Sequence, residues 1–273
     1  MSKGFCFVAQ NNSKTNYVQQ ACILAVSIHK FNKNQSISLI TNDNVPQKYK
    51  VLFDHIIPIP QDDCINEQIK FRNRYKIFDL SPYSKTIVMD VDMLVTRDIT
   101  NWWRYFNNFD LFFTSNVLTY REEKITSTWH RKVFIENNLP NLYNGLWFFK
   151  KNKQAKEFFD LMKIVTENWQ EFYKIYLPNK TQNFYSVDVS SAIVCKILGI
   201  ENKVTDKNSF VTFVHMKPKL QHWKDAPNNW TDKLSYSVNK RGELLVDNII
   251  QNNIFHYVED KFLTDNIIQG VET

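Results

Sequence analysis

Apolar positions along this chain fall into alternating blocks of two kinds, short continuous runs and stripes at helical spacing. "GFCFVAQ" (4–10) is an apolar run that predicts a buried strand, and the polar "NNSKTN" after it predicts a loop. In "YVQQACILAVSIHKFN" (17–32), Ala21, Leu24, Ala25 and Ile28 share one stripe, which predicts a helix. "SISLITND" predicts a second strand, "VPQKYKVLFD" a helix started by Pro46, and "HIIPIP" a third short strand. "IKFRNRYKIFDLSPY" (69–83) predicts a helix stopped before Pro82, and "KTIVMDVD" (85–92) the next strand. "DLFFTSN" and "LWFFKK" predict further strands. "NKQAKEFFDLMKIVTENWQEFYKIY" (152–176) predicts one long amphipathic helix, and "VDVSSAIVCKILGI" (187–200) a shorter one that Asp188 would cap. The remainder alternates strand-like and irregular stretches. This order calls for an α/β fold, a mostly parallel central sheet flanked by helices, in one domain spanning 1–273 with an irregular C-terminal region.

Composition narrows the chemistry. A chain of 273 residues can bury a full core, and only 5 glycines leave little room for glycine-rich phosphate loops. Neither G-x-G-x-x-G nor G-x-x-x-x-G-K-[ST] occurs, which argues against Rossmann-type dinucleotide binding and P-loop chemistry. The net charge of +6 favours an anionic partner only mildly, because no run of consecutive Lys/Arg forms a nucleic-acid arm. The cysteines, Cys6, Cys22, Cys64 and Cys195, show no C-x-x-C pairing; Cys6, Cys22 and Cys195 sit in apolar runs and read as core residues of a protein kept reduced. With no signal-like apolar region and no apolar stretch of membrane-spanning length, the expectation is a cytoplasmic protein.

The end of the fourth strand pattern carries two acids, Asp90 and Asp92. Residues i and i+2 of a strand share a face, and strand C-termini in open α/β sheets border the ligand crevice. Two carboxylates there repel one another unless a cation stands between them. Oxygen ligands suit Mg²⁺ or Mn²⁺, whereas an EF-hand is poorly supported, because no glycine and distal glutamate follow at the loop positions. The plain alternative is a pair of exposed acids at a strand end.

At this point the chain resembles the retaining glycosyltransferases of family 8, the glycogenin and bacterial galactosyltransferase group. "FDLSPYSKTIVMDVDMLV" is similar to that family's strand and D-x-D signature, "FVAQNNSKTNYVQQACILAVSI" to its opening strand, nucleotide loop and helix. "YNGLWFFKK" resembles its N-S-G strand and "YSVDVSSAIV" its D-Q helix start, so the likeness covers roughly 4–200. The resemblance implies the Rossmann-like GT-A fold, with residues 1–115 as the nucleotide-sugar half and 116–273 as the sugar and acceptor half. It also implies transfer of a hexose or pentose from a UDP-sugar, helped by Mn²⁺ or Mg²⁺, to a hydroxyl acceptor with retained configuration. Residue by residue, Asp90 would touch the ribose or metal and Asp92 would ligate the metal. Tyr17 would stack on the uracil with Ala9 and Gln10 beside it. Arg74 would face the sugar or diphosphate, Asn144 and Gly145 would line the sugar pocket, and Asp188 would contact sugar hydroxyls near the reacting carbon. Val189 stands where the family has Gln, and the late H-x-x-G-x-x-K-P-W is not intact. Two segments compete for its metal-binding His and diphosphate-binding Lys: "FHYVEDK" with His256 and Lys261, preferred because it follows the last strand pattern, and "VHMKP" with His215 and Lys217.

Read singly, each of these residues has a structural explanation. Tyr17 would pack on the core, Lys70 and Arg74 would be solvated, Asn144-Gly145 would make a tight turn, and Asp188 would be an N-cap. The acceptor stays open between a saccharide and hydroxymethylated bases of phage-type DNA, for which the aromatics of "WWRYF" and "QHWKDAPNNW" would provide stacking. Two rivals are a non-catalytic nucleotide-sugar or carbohydrate-binding module on a degenerate scaffold and a metal-dependent phosphohydrolase.

Overall fold

The computed structural model describes residues 2–62, 70–126, 129–205 and 209–273. Cys64 and Ile69, the first residue of a predicted helix, lie outside them. β1 (Lys3–Val8), α1 (Tyr17–Phe31), β2 (Ile37–Ile40), α2 (Gln47–Lys50) and β3 (His55–Ile57) follow one another. A 3-10 segment, Phe71–Lys76, leads through α3 (Ile77–Leu80) to β4 (Lys85–Met89). Next come β5 (Met93–Leu94), α4 (Trp102–Tyr105), β6 (Leu111–Thr114), β7 (Val117–Leu118), α5 (Lys132–Glu136) and β8 (Tyr143–Lys150). Three helices follow, α6 (Lys153–Glu167), α7 (Trp169–Tyr176) and α8 (Val187–Leu198). The last part holds β9 (Phe213–His215), β10 (Tyr236–Val238), β11 (Leu244–Val246), β12 (Ile249–Ile250), β13 (Ile254–His256) and α9 (Asp265–Glu272).

The central sheet has the order β3-β2-β1-β4-β8-β6; its first four strands are parallel, and β8 is antiparallel to both β4 and β6. Alternation along β1 splits the core. Phe5 and Phe7 join the cluster that contains α1, while Cys6 faces the cluster built from α6 and α8. Helices therefore cover both faces, as strands with continuous apolar runs require.

A second sheet, β5-β13-β9-β7, is built where the chain leaves β4. β5 pairs antiparallel with β13 and sets His256 opposite Met93, while β9 runs parallel to β13 and sets His215 beside His256. Asn32, buried at the end of α1, fixes the stretch after β5: its side chain accepts from Ile99 N at 2.6 Å and donates to Arg97 O at 3.2 Å. β10, β11 and β12 form a separate antiparallel sheet. Among the described residues no helix is long and apolar enough to cross a membrane.

Several local expectations change. The predicted helix over 152–176 is two helices, because Asn168 leaves helical geometry (φ −121°, ψ 29°) and its side-chain amide takes the carbonyl of Ile164 at 3.0 Å. Pro46 stands at the N-cap of a single turn rather than inside a longer helix. Residues 71–80 are 3-10 then α rather than one α-helix. α8 is capped by Ser186, whose side chain accepts from Val189 N, so Asp188 falls in the first turn with its carboxylate released from capping. Asn144 and Gly145 lie within β8 and form no turn. Trp102, Trp103 and Phe106 of the "WWRYF" cluster and Trp230 of "QHWKDAPNNW" are buried in the core, not displayed for stacking.

The close approach in the middle of the sheet is checkable. A Cβ on Gly4 would lie 2.4 Å from the Tyr83 ring and 2.8 Å from Ser36 O. Tyr83 is held by accepting from Ser38 Oγ at 2.7 Å, so the ring has little freedom to retreat. Gly4→Ala is expected to destabilise the protein by about 1–3 kcal/mol through overpacking, read as a lower denaturant midpoint; an unchanged midpoint would contradict this packing.

Candidate functional site

β4 ends at Met89, one residue before the first acid. Asp90 follows directly, its N–H donating to Gly145 O at 2.7 Å, and Asp92 sits in the turn before β5. The two acids therefore do not share one strand face; the turn brings them together instead. A Cβ at Gly145 would come within 3.2 Å of Asp90 Oδ2, so glycine there lets the carboxylate settle against β8.

Each acid has a cationic or imidazole partner. Arg74 Nη1 lies 2.7 Å from Asp90 Oδ1, and His256 Nε2 lies 3.0 Å from Asp92 Oδ2. Burial pushes the Asp90 carboxyl above its ordinary range, with Arg74 opposing and Asp92 adding to the rise. Burial acts the same way on Asp92, but the charge and hydrogen bond of His256, together with a backbone hydrogen bond and Arg74, hold that carboxyl low. Asp90, Asp92 and His256 each offer a ligand atom, and these atoms all lie within 4.8 Å of one another. Two carboxylate oxygens and an imidazole nitrogen suit Mn²⁺, or Mg²⁺ with water completing the shell. His215 stacks on His256 with ring centroids 4.6 Å apart and planes 8° from parallel. Burial, reinforced by His256 and Lys217, holds His215 well below the ordinary histidine range, so it stands as a neutral neighbour of the trio.

Two adjoining hollows meet at this trio. One, of about 250 Å³, is lined by Gln10, Tyr17, Lys70, Asp92, Lys217 and Val258, among others. The other, of about 330 Å³, is lined by Asn144, Gly145, Phe184, Tyr185, Asp188 and His215, among others. Arg74, Asp90, Lys217 and His256 belong to both walls. Tyr17 opens α1 at the rim, and burial followed by the nearby Asp92 and Asp260 raises its phenol. Gln10 is fixed by donating to Asp62 Oδ2 at 2.7 Å and accepting from Asn73 Nδ2 at 2.9 Å. Val258, a β-branched residue at φ 66°, holds a strained turn in the wall of the first hollow. Glu259 secures that turn, accepting from Trp230 N at 2.7 Å and Thr231 Oγ1 at 2.9 Å.

In the second hollow, Asp188 Oδ1 accepts from Asn144 N at 2.9 Å and from Asn144 Nδ2 at 3.3 Å, while Asp188 Oδ2 lies 3.0 Å from Arg131 Nη1. Ser191 Oγ donates to Asn144 Oδ1 at 3.1 Å and ties β8 to α8.

Most residues singled out in the sequence thus converge, with three differences. Ala9 is fully buried in the core and lines neither hollow. Lys261 also lies outside both: its amine points to a surface partner, Asp232, at 3.9 Å, and the lysine in both walls is Lys217. The reason is topological, since β9 and β13 are parallel neighbours that bring "VHMKP" and "FHYVEDK" to the same edge, where one supplies Lys217 and the other His256. Val189 lies on the buried face of α8, in the core. Arg131 escaped sequence reading because it sits in a polar run without motif or periodicity.

No protein-family model matches the chain, and no curated protein matches it. Solved structures do. The galactosyltransferase LgtC, determined with donor and acceptor sugar analogues, superposes with a TM-score of 0.58 at 13% identity, covering 98% of this chain and 92% of that one. An active-site mutant of LgtC gives 0.52 at 12% identity over 94% and 87% of the two chains. GlyE of Streptococcus pneumoniae TIGR4, a glycosyltransferase, gives 0.42 at 15% identity; this chain spans 46% of its length.

The positions of Lys217 and Lys261 predict opposite outcomes for anion binding. With Mn²⁺ present, Lys217→Ala is expected to weaken inorganic pyrophosphate binding roughly tenfold by calorimetry, the loss of one charge-assisted contact, while Lys261→Ala changes it less than about twofold. The reverse pattern would contradict this assignment. In backbone course, the chain has the GT-A fold of the galactosyltransferase LgtC.

Proposed function

We propose that this chain is a metal-dependent glycosyltransferase that moves a hexose or pentose from a UDP-sugar to a hydroxyl acceptor with retention of configuration. The observation that carries the reading is the Asp90–Asp92–His256 group at the junction of two hollows, flanked by Arg74 and Lys217. The likeness to LgtC, solved with donor and acceptor sugar analogues, supports it.

Tyr17 and Gln10 offer a ring and a fixed amide to the base in the first hollow. Asn144 and Asp188 offer hydrogen-bonding groups to the sugar in the second. Mn²⁺ or Mg²⁺, when bound, supplies Lewis-acid stabilisation of the charge developing on the leaving diphosphate. Arg74 and Lys217 place fixed positive charge against the same region. With base and sugar held at opposite ends, the protein's contribution is mainly positioning and leaving-group stabilisation.

A saccharide acceptor fits best. Phe184, 62% exposed, and Tyr185 border the sugar hollow and present rings to a second sugar, whereas of the tryptophans that would stack on an extruded base Trp102, Trp103 and Trp230 are in the core and Trp223, half-buried, lines neither hollow. Mass spectrometry after incubation with Mn²⁺, a panel of UDP-sugars and either saccharide or hydroxymethylated-DNA acceptors tests this. The expected product is a glycosylated saccharide, lost by at least about 100-fold in Asp92→Asn. Modification of DNA alone would overturn the acceptor class. Donor binding without turnover would identify a binding module, and phosphate release without sugar transfer a phosphohydrolase.

A further inference from the structure

Asp188 does not hang free in the sugar hollow. Its partner Arg131 has a side chain only 11% exposed, against 28% for Asp188. The Arg131 guanidinium carbon lies 3.7 Å from the Phe134 ring centroid and 4.1 Å from that of Tyr143. Three of its donors are spent in the same plane: Nε on Asn141 Oδ1 at 2.5 Å, Nη1 on Asp188 Oδ2 at 3.0 Å, and Nη2 on Leu142 O. The opposite oxygen of Asp188 is held by the backbone and side-chain amides of Asn144. The carboxylate is gripped from both ends, by a guanidinium packed on two rings and tied by three hydrogen bonds and by a strand that cannot shift without breaking β8.

We infer that Arg131 is a positioning residue that holds Asp188 as a fixed anionic acceptor for the donor sugar's hydroxyls, and thereby sets how much the sugar adds to donor affinity. The inference rests on the UDP-sugar reading of the cleft. Neither oxygen of Asp188 can turn to attack a carbon without giving up a hydrogen bond, whereas Oδ2, which accepts from Arg131, keeps a lone pair for a hydroxyl donor. Arginine is required by the geometry: a lysine has neither the planar fork to serve three acceptors nor the flat face to pack on two rings. Arg131 sits beyond the cleft walls, so it acts through Asp188.

The test compares UDP with UDP-sugar. Calorimetry in Mn²⁺ gives the dissociation constant of UDP alone and of whichever of UDP-galactose, UDP-glucose, UDP-N-acetylglucosamine and UDP-xylose binds the wild type most tightly. Arg131→Met is expected to weaken the UDP-sugar about tenfold while UDP changes less than about twofold. Asp188→Asn should do the same, and the double variant should lose no more than about twofold beyond either single one, because the two residues act as a unit. Arg131→Lys, the milder change, should lose at least about threefold on the UDP-sugar only. UDP-sugar affinity retained in both folded Arg131 variants overturns the inference, as does equal weakening of UDP and UDP-sugar, which a general structural role would give. Additive losses in the double variant overturn it too. A wild type that binds no UDP or UDP-sugar with Mn²⁺ sinks the donor reading itself, an outcome distinct from all of these.

Discussion

Two carboxylates within reach of one ion, drawn into a half-buried cleft, are the constraint around which this molecule is arranged. Like charges in low dielectric repel strongly, and removing each from water is unfavourable. The fold answers with one counter-group per acid, Arg74 for Asp90 and His256 for Asp92. Arg74 comes from the segment before α3, adjacent in sequence to β4. His256 comes from the far end of the chain and reaches Asp92 only because β13 pairs antiparallel with β5, in a register that sets it opposite Met93. The short second sheet is therefore the device that completes the site.

The same logic extends outward. Gly145 clears the space into which the Asp90 carboxylate settles, and Asn144 beside it fastens β8 to Asp188 and Ser191 of α8. One strand thus aligns the charge-bearing junction with the hollow next to it. On the other side, Asn32 and Ser27 of α1 anchor the stretch after β5, Ser27 Oγ accepting from Val95 N at 3.0 Å. The turn carrying both acids is held between these attachments.

How much of this was legible in the sequence follows from the range of each interaction. The βα units up to β4 are local: apolar runs and a 3.6-residue stripe dictate them, and the acids after "KTIVM" mark the crevice. The single helix expected over 152–176 failed at Asn168, because an amide side chain that competes for a backbone carbonyl does not disturb the hydrophobic period. Asp188 looked like a cap because an acid two residues from Ser186 fits the same pattern; only the cap bond separates them. The C-terminal third was least readable. Its strands are three residues or fewer, and whether "VHMKP" or "FHYVEDK" serves the site was posed as a choice, when parallel pairing brings both to it. Arg131 could not be found from its surroundings, since its meaning lies in Phe134, Tyr143 and Asp188, the last of them 57 positions away.

In the proposed function, Asp90, Asp92 and His256 together would hold a divalent cation that draws a nucleoside diphosphate into the cleft. Electron paramagnetic resonance of Mn²⁺ titrated into the protein with UDP tests it most directly. The expected result is a bound Mn²⁺ signal in the wild type that requires UDP for full intensity, falls by at least about tenfold in apparent affinity in His256→Ala, and is lost in Asp92→Asn. Mn²⁺ bound equally by the wild type and both variants, or UDP bound equally with and without chelator, would contradict it.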